Sequence, residues 1–169
     1  EFDCHFGPEY TLLFEDRGLS IEGCSGDQPG SVAKLHHEVR KLGFTPIING
    51  MCKGFLDKYQ NPDGIKKFLR KGHNPYKTTS FADGTKVNIE AATICNYLNA
   101  FPDKRGMHGP DCAKEELTTI FPEISTKKNI VDFTLGIEGI NKGGGIFVIA
   151  ELKNKNQEFM DDLEYMKLG

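Results

Sequence analysis

The sequence contains no tryptophan and no apolar run longer than Ile146 to Ala150. A membrane-spanning helix needs about 20 apolar residues, so none is expected. The first residues, EFDCHFGPEY, are acidic and aromatic, whereas a secretory leader is basic and then apolar. A cytoplasmic protein without a membrane partner is the expectation. Closely spaced cysteines are absent too: Cys4, Cys24, Cys52, Cys95 and Cys112 are odd in number and scattered, with no C-x-x-C or H-x-x-x-H spacing. Neither a disulfide framework nor a metal site is expected, and the thiols are expected to be free and largely buried. An excess of positive charge is also missing, since the formal net charge is -3. That gives no footprint for nucleic acid, and the basic cluster Lys66, Lys67, Arg70 and Lys71 reads as a solvated helix face.

What is present describes one globular domain. The chain has 169 residues, 38% of them hydrophobic, enough for one substantial core and too few for two domains of ordinary size. Tyr10, Leu13 and Phe14 after Gly7-Pro8 predict a first helix to about Arg17, stopped by Gly18. A short strand from Leu19 to Cys24, the polar turn SGDQPGS, a helix carrying Val32, Leu35, Val39 and Leu42, and the strand FTPIING follow. Residues 19–50 thus predict a parallel βαβ unit. Pro62 is expected to start a helix bearing Ile65, Phe68 and Leu69 and ending at Gly72, and GHNPYKTTSF to be a loop. A long helix is expected from about Asp83 to Ala100 and a short one near Ala113 to Ile120. IVDFTLGIEG and GIFVIAEL, joined by a glycine-rich turn, predict an antiparallel hairpin, and Gln157 to Lys167 a final helix. The expected class is α+β, a mixed sheet with a βαβ unit, helices packed on it and a C-terminal antiparallel hairpin.

The stretch TSFADGTKVNIEA, Thr79 to Ala91, carries the most chemistry. At about 100° per residue, Val87, Ala91, Ile94 and Leu98 form an apolar stripe, and Asp83, Lys86 and Glu90 fall along one border of it. Half-sheltered carboxylates and an amine in each other's field are candidates for proton transfer. The same spacing serves an ordinary helix start, with Asp83 as cap and Lys86–Glu90 as an i, i+4 pair contributing about 0.2 to 0.5 kcal/mol. Spacing alone leaves both readings open.

Asp27 and Gln28, in GDQPG between a predicted strand and helix, share a sheet edge with Lys53, which follows the second predicted strand. Ligands favour that edge. The turn lacks G-x-G-x-x-G and the P-loop lysine, so it is equally a plain tight connection. His73 and Asn74, before Pro75, are candidates for contacting a ligand or for stabilising their own loop. His36 and His37 are adjacent on one helix, cannot chelate one ion, and read as core-edge and surface residues. KGGG, Lys142 to Gly145, reads as a flexible hairpin turn.

In chain order, GDQPG, MCKGFLDKY, HNPYKTTSFADGTKVNIEAA and GGGIFVIAEL resemble the middle domain of the homoserine-dehydrogenase-like NAD(P)-dependent oxidoreductases, a group that includes deoxyxylulose-phosphate-reductoisomerase-like enzymes. The resemblance spans nearly the whole chain, with SFADGTK and GDQPG its most specific pieces. It implies a Rossmann domain before this region and often a small SAF-type β domain after it. It implies catalytic roles for Lys86, Asp83 and Glu90, because homoserine dehydrogenases use a lysine and acidic residues on the helix after the substrate loop. No dinucleotide fingerprint occurs in the sequence. Residues 1–169 are therefore expected to be the central substrate, catalytic and dimerisation domain of a longer oxidoreductase, inactive alone, with NAD or NADP bound by the Rossmann domain of the same parent chain. Lys86 is expected to move a proton on a small hydroxy or keto substrate, Asp83 and Glu90 to tune it, and Lys53, Asp27, Gln28, His73 and Asn74 to bind the substrate. A homodimer is expected through the strand-rich tail. Two alternatives stand beside this: a sugar-phosphate reductoisomerase, which uses a divalent metal, and a non-catalytic ligand-binding or dimerisation module.

Overall fold

Strand β1 (Thr45–Cys52) is buried continuously from Ile48 onward, so it needs cover on both faces and a partner on each edge. It finds them in β2 (Ile130–Thr134), parallel, and β3 (Ile146–Glu151), antiparallel, giving the order β2-β1-β3. The computed structural model describes residues 2–19, 26–136, 145–152 and 157–166. The expected mixed sheet and α+β class are observed, but the C-terminal hairpin is not, because β1 lies between β2 and β3. All five residues of β2 are buried, and a two-sided apolar strand gains most beside another such strand under helices. A β2/β3 hairpin would push β1 to an edge, where its polar backbone lacks a partner.

Local signals set the helix limits. Helix α1 (Phe2–Glu15) starts earlier than expected, and Gly18 follows it at φ 66. Helix α2 (Gln28–Lys41) is capped by Asp27, whose carboxylate accepts the Gly30 N–H at 3.1 Å. The predicted strand Leu19 to Cys24 falls almost entirely outside the described residues, and Leu19 itself is not in a strand. The parallel partner observed for β1 is β2. The helix expected after Pro62 shrinks to a 3-10 turn, Gly64–Phe68, in which only Ile65 is buried. One anchored side chain cannot offset the cost of nucleating a longer helix.

GHNPYKTTSF is not a loop throughout: α3 (Pro75–Ala82) begins there, with the Asn74 Oδ1 accepting from the Tyr76 and Lys77 N–H groups. Gly84 at φ 91 then separates α3 from α4 (Thr85–Leu98), which ends at Asn99. A 3-10 turn, Lys114–Glu116, leads into α5 (Leu117–Ile124), and α6 (Gln157–Tyr165) lies where a final helix is predicted.

The sheet separates two cores. On one face Val32 of α2 and Val87, Ala91 and Ile94 of α4 pack on Met51, Val131 and Phe133. On the other, Leu117 and Phe121 of the α5 region pack on Ile48, Ile130, Phe147 and Ile149. Gly50 serves this second core, since a Cβ there would overlap the Phe147 ring that lies across it. No described helix is long and apolar enough to cross a membrane.

Candidate active site

Helix α2 and strand β1 meet in an antiparallel register that their geometries allow. Four residues along a helix advance about 6 Å, and two along a strand about 6.6 Å. Gln28, Val32 and His36 therefore face Lys53, Met51 and Asn49 in turn. His36 Nδ1–H donates to Asn49 Oδ1 at 2.7 Å, while Asn49 Nδ2 donates to the Ile130 carbonyl at 3.3 Å. Val32 and Met51 are both fully buried. At the last step Lys53 Nζ donates to Gln28 Oε1.

That step lies at the carboxyl ends of β1 and β2, the edge of a parallel pair where ligands usually bind. Helix α4 brings Glu90 to the same point. Its side chain is only 3% exposed, and each oxygen meets a different ammonium: Lys53 Nζ at 2.6 Å from Oε2 and Lys86 Nζ at 2.8 Å from Oε1. The Lys53 side chain is 14% exposed and that of Lys86 28%, so Lys86 is the more open of the two. Its ammonium also lies over the exposed Phe81 ring, 5.1 Å from the centroid. The Lys86–Glu90 contact is thus no solvated surface pair. Removing the sole partner of a buried charge typically costs about 3 to 5 kcal/mol, a cost that Glu90 escapes on loss of one lysine because it keeps the other.

The structure gathers Gln28, Lys53, Lys86 and Glu90 from the sequence-predicted candidates and places the others differently. Asp83 accepts the Thr85 N–H at 2.8 Å, at the α3–α4 junction. Asp27 caps α2 and Asn74 caps α3. His73 is exposed, its N–H donated to the Arg70 carbonyl. Of the histidine pair, His36 is buried and His37 exposed, as expected. Of the KGGG turn only Gly145 lies within the described residues, where its carbonyl accepts from Cys52 N–H at 2.8 Å and Gln28 Nε2 at 2.8 Å.

Sequence reasoning missed a second buried carboxylate. Asp132, in the middle of β2, accepts from the N–H groups of His108, Gly109 and Phe133 at 2.8 to 3.1 Å. A lone aspartate inside the apolar run IVDFT was its signal, because an aspartate is almost never fully buried without partners. The loop that Asp132 holds carries His108, whose Nε2 lies 2.7 Å from Asp103. Lys127 and then His108 hold the Asp103 carboxyl down to about 2. Cys52 and Cys112 are buried and Cys95 half-buried, and these three are free. Burial pushes the Cys52 thiol up to about 11, reinforced by nearby Cys112 and opposed by Lys53.

A family model described as the catalytic domain of oxidoreductase DRL matches residues 26–169. The chain belongs to that family. The DRL catalytic domain makes the protein an oxidoreductase enzyme, and it contains the whole Gln28, Lys53, Lys86 and Glu90 cluster. No curated protein matches the chain. Oxidoreductase chemistry calls for an electron-carrying cofactor, often a dinucleotide. The start of α2 does not fit a dinucleotide's diphosphate: Pro29 offers no N–H, and the Asp27 carboxylate already takes the Gly30 N–H and sets a negative charge there.

Proposed function

We propose that this domain carries the substrate and proton-transfer site of a homoserine-dehydrogenase-like, NAD(P)-dependent oxidoreductase acting on a small hydroxy or keto compound. One observation carries the reading: buried Glu90 gives one oxygen to Lys53 and the other to the more exposed Lys86. The dinucleotide, which supplies the redox chemistry, belongs in this reading to a Rossmann domain of the same parent chain. A homodimer is part of the same proposal, with β3 at an edge of the described sheet.

Lys86 is the proton-moving group. As an ammonium its Nζ donates to a substrate carbonyl oxygen, and as an amine it takes the proton of a substrate hydroxyl. Glu90 compensates the charge on Nζ and fixes its position, which the i, i+4 spacing on α4 makes possible. Lys53 holds the second Glu90 oxygen, so the carboxylate cannot swing away. The Phe81 face lies against the ammonium and helps to hold it in place.

The test is Lys86→Met in the full-length oxidoreductase. Turnover is expected to fall about 10²- to 10⁴-fold, the range for a lost acid or base. The melting temperature is expected to move little, because Glu90 keeps Lys53. Turnover within threefold of the parent, an arbitrary but roughly assay-limited bound, would sink the reading.

A further inference from the structure

The Gln28 side chain uses every hydrogen-bonding direction that matters at this sheet edge. Its Nε2 donates to the Gly145 carbonyl at 2.8 Å and to the Cys52 carbonyl at 3.3 Å, one before β3 and one at the end of β1. Its Oε1 accepts from Lys53 Nζ. The amide cannot be turned around, because a flip would set Oε1 against two carbonyl oxygens and Nε2 against an ammonium. Asparagine in its place is one methylene short, and glutamate has no hydrogen to give the two carbonyls. The helix-to-strand register explains why the amide arrives there. His36 on Asn49 and Val32 on Met51 set α2 against β1, and Gln28 is one further step of about 6 Å along the same face.

A lysine ammonium is a compact charge on a flexible four-carbon stem, and one acceptor alone leaves it free to pivot. Lys53 has two acceptors on different elements, Gln28 Oε1 and Glu90 Oε2. We propose that Gln28 is a positioning residue that holds the Lys53 ammonium on Glu90, and through Glu90 sets the place of Lys86, while tying all three to the start of β3. Gln28 acts through Lys53 and needs no contact with substrate. The role in turnover rests on reading the cluster as a proton-transfer site; the placing of Lys53 does not.

The experiment observes the side-chain NH₃⁺ signals of Lys53 and Lys86 in the ¹⁵N-labelled chain, each assigned by its Lys→Arg variant. In the parent sequence Lys53 is expected to exchange its ammonium hydrogens slowly. Gln28→Met, similar in volume and without hydrogen-bonding groups, is expected to speed Lys53 exchange at least roughly tenfold, the scale of losing one ordinary hydrogen bond. Asp27→Ala is the structural control: it removes the α2 cap, lowers the melting temperature and is expected to leave Lys53 slow. Lys53 exchange unchanged in Gln28→Met, or accelerated as much by Asp27→Ala, would overturn the proposal. Should Gln28→Met fail to fold, Gln28→Glu decides. Its carboxylate has no hydrogen for the Gly145 and Cys52 carbonyls, so the side chain is expected to leave its place and Lys53 exchange to change from the parent rate, and an unchanged rate would also overturn it. In the full-length oxidoreductase, Gln28→Met is expected to lower kcat with KM nearly unchanged and to shift the pH profile. If Lys53 exchange accelerates in Gln28→Met while Lys86→Met keeps its turnover, the proton-transfer reading fails and the placing of Lys53 by Gln28 stands.

Discussion

Glu90 and Asp132 are both buried carboxylates, one on α4 and one on β2, and their charges are compensated in opposite ways. Among the described residues, Asp132 is held only by backbone N–H groups, from His108, Gly109 and its own neighbour Phe133. The first two donors belong to a loop whose Met107 and Gly109 adopt φ 67 and φ 57, so the carboxylate fixes a backbone shape. Backbone amides neither gain nor lose protons. Glu90 is held by two lysine side chains, the more open of them 28% exposed, and a lysine ammonium can release a proton that its amine then takes back. A buried charge therefore does not by itself mark a site. The chemistry of what compensates it does.

The largest expected effect separates the two directly. On the proton-transfer reading proposed above, Glu90→Gln in the full-length oxidoreductase is expected to lower turnover about 10²- to 10⁴-fold in protein that still folds. Asp132→Asn is expected to keep turnover per folded molecule within about tenfold, and to lower stability by about 1 to 3 kcal/mol, because the acceptor Oδ2 becomes a donor facing the His108 N–H. Urea unfolding beside steady-state kinetics measures both. An Asp132→Asn protein of normal stability and lost turnover would break the comparison.

A smaller effect lies in the loop that Asp132 pins. The Asp103 carboxyl, held down to about 2 by Lys127 and His108, sits below its ordinary value of 3.8. Its contribution to stability is present in full above the ordinary value and is lost as pH falls from about 4 towards 2, since the unfolded chain takes the proton first. Lys127→Met removes the first cause and is expected to flatten that part of the acid limb. Urea midpoints between pH 5 and pH 2 read it, and an identical limb in the variant would show that Asp103 does not contribute.

The smallest effect sharpens the Glu90 side. Cys52 precedes Lys53 and points into the opposite core, with its thiol pushed up to about 11 from the ordinary 9.0. Its contribution to stability is present below the ordinary value and is lost as pH rises through the raised one. Iodoacetamide at about pH 8, where free thiols begin to ionise, is expected to leave Cys52 unmodified in the native protein and to modify it after unfolding. Lys53→Met removes the opposing cation, so the residual reaction near pH 10 is expected to slow a few-fold. Rapid native labelling of Cys52 would contradict its burial.

Much of the fold was legible because its causes are local. The α4 stripe of Val87, Ala91 and Ile94 is buried as its spacing predicts, with Lys86 and Glu90 on the border. The α2 region and β1 follow their periodicity, and α6 follows the spacing of its apolar residues. Where local reading failed, a local competitor had been underweighted. Asn74 before Pro75 is a helix cap that reads as a loop when HNP is taken only as a turn. At Pro62 the reverse holds, since a favourable start had only Ile65 to bury.

The sequence by itself determined which segments could be helix or strand, which faces were apolar, and that Lys86 and Glu90 would be neighbours on one turn. Those follow from interactions within a few residues. Only the tertiary structure decided that β1 lies between β2 and β3, that Lys53 reaches Glu90 across 37 positions, and that Gln28 reaches Gly145 across 117. Strand order is a competition among whole buried surfaces, and no short window of sequence contains the competitors. The environment of an ionisable group depends likewise on which distant elements exclude water from it. The i, i+4 pair visible in the sequence became a buried two-lysine cluster only when β1 delivered Lys53 beneath α4 and α2 closed over its edge.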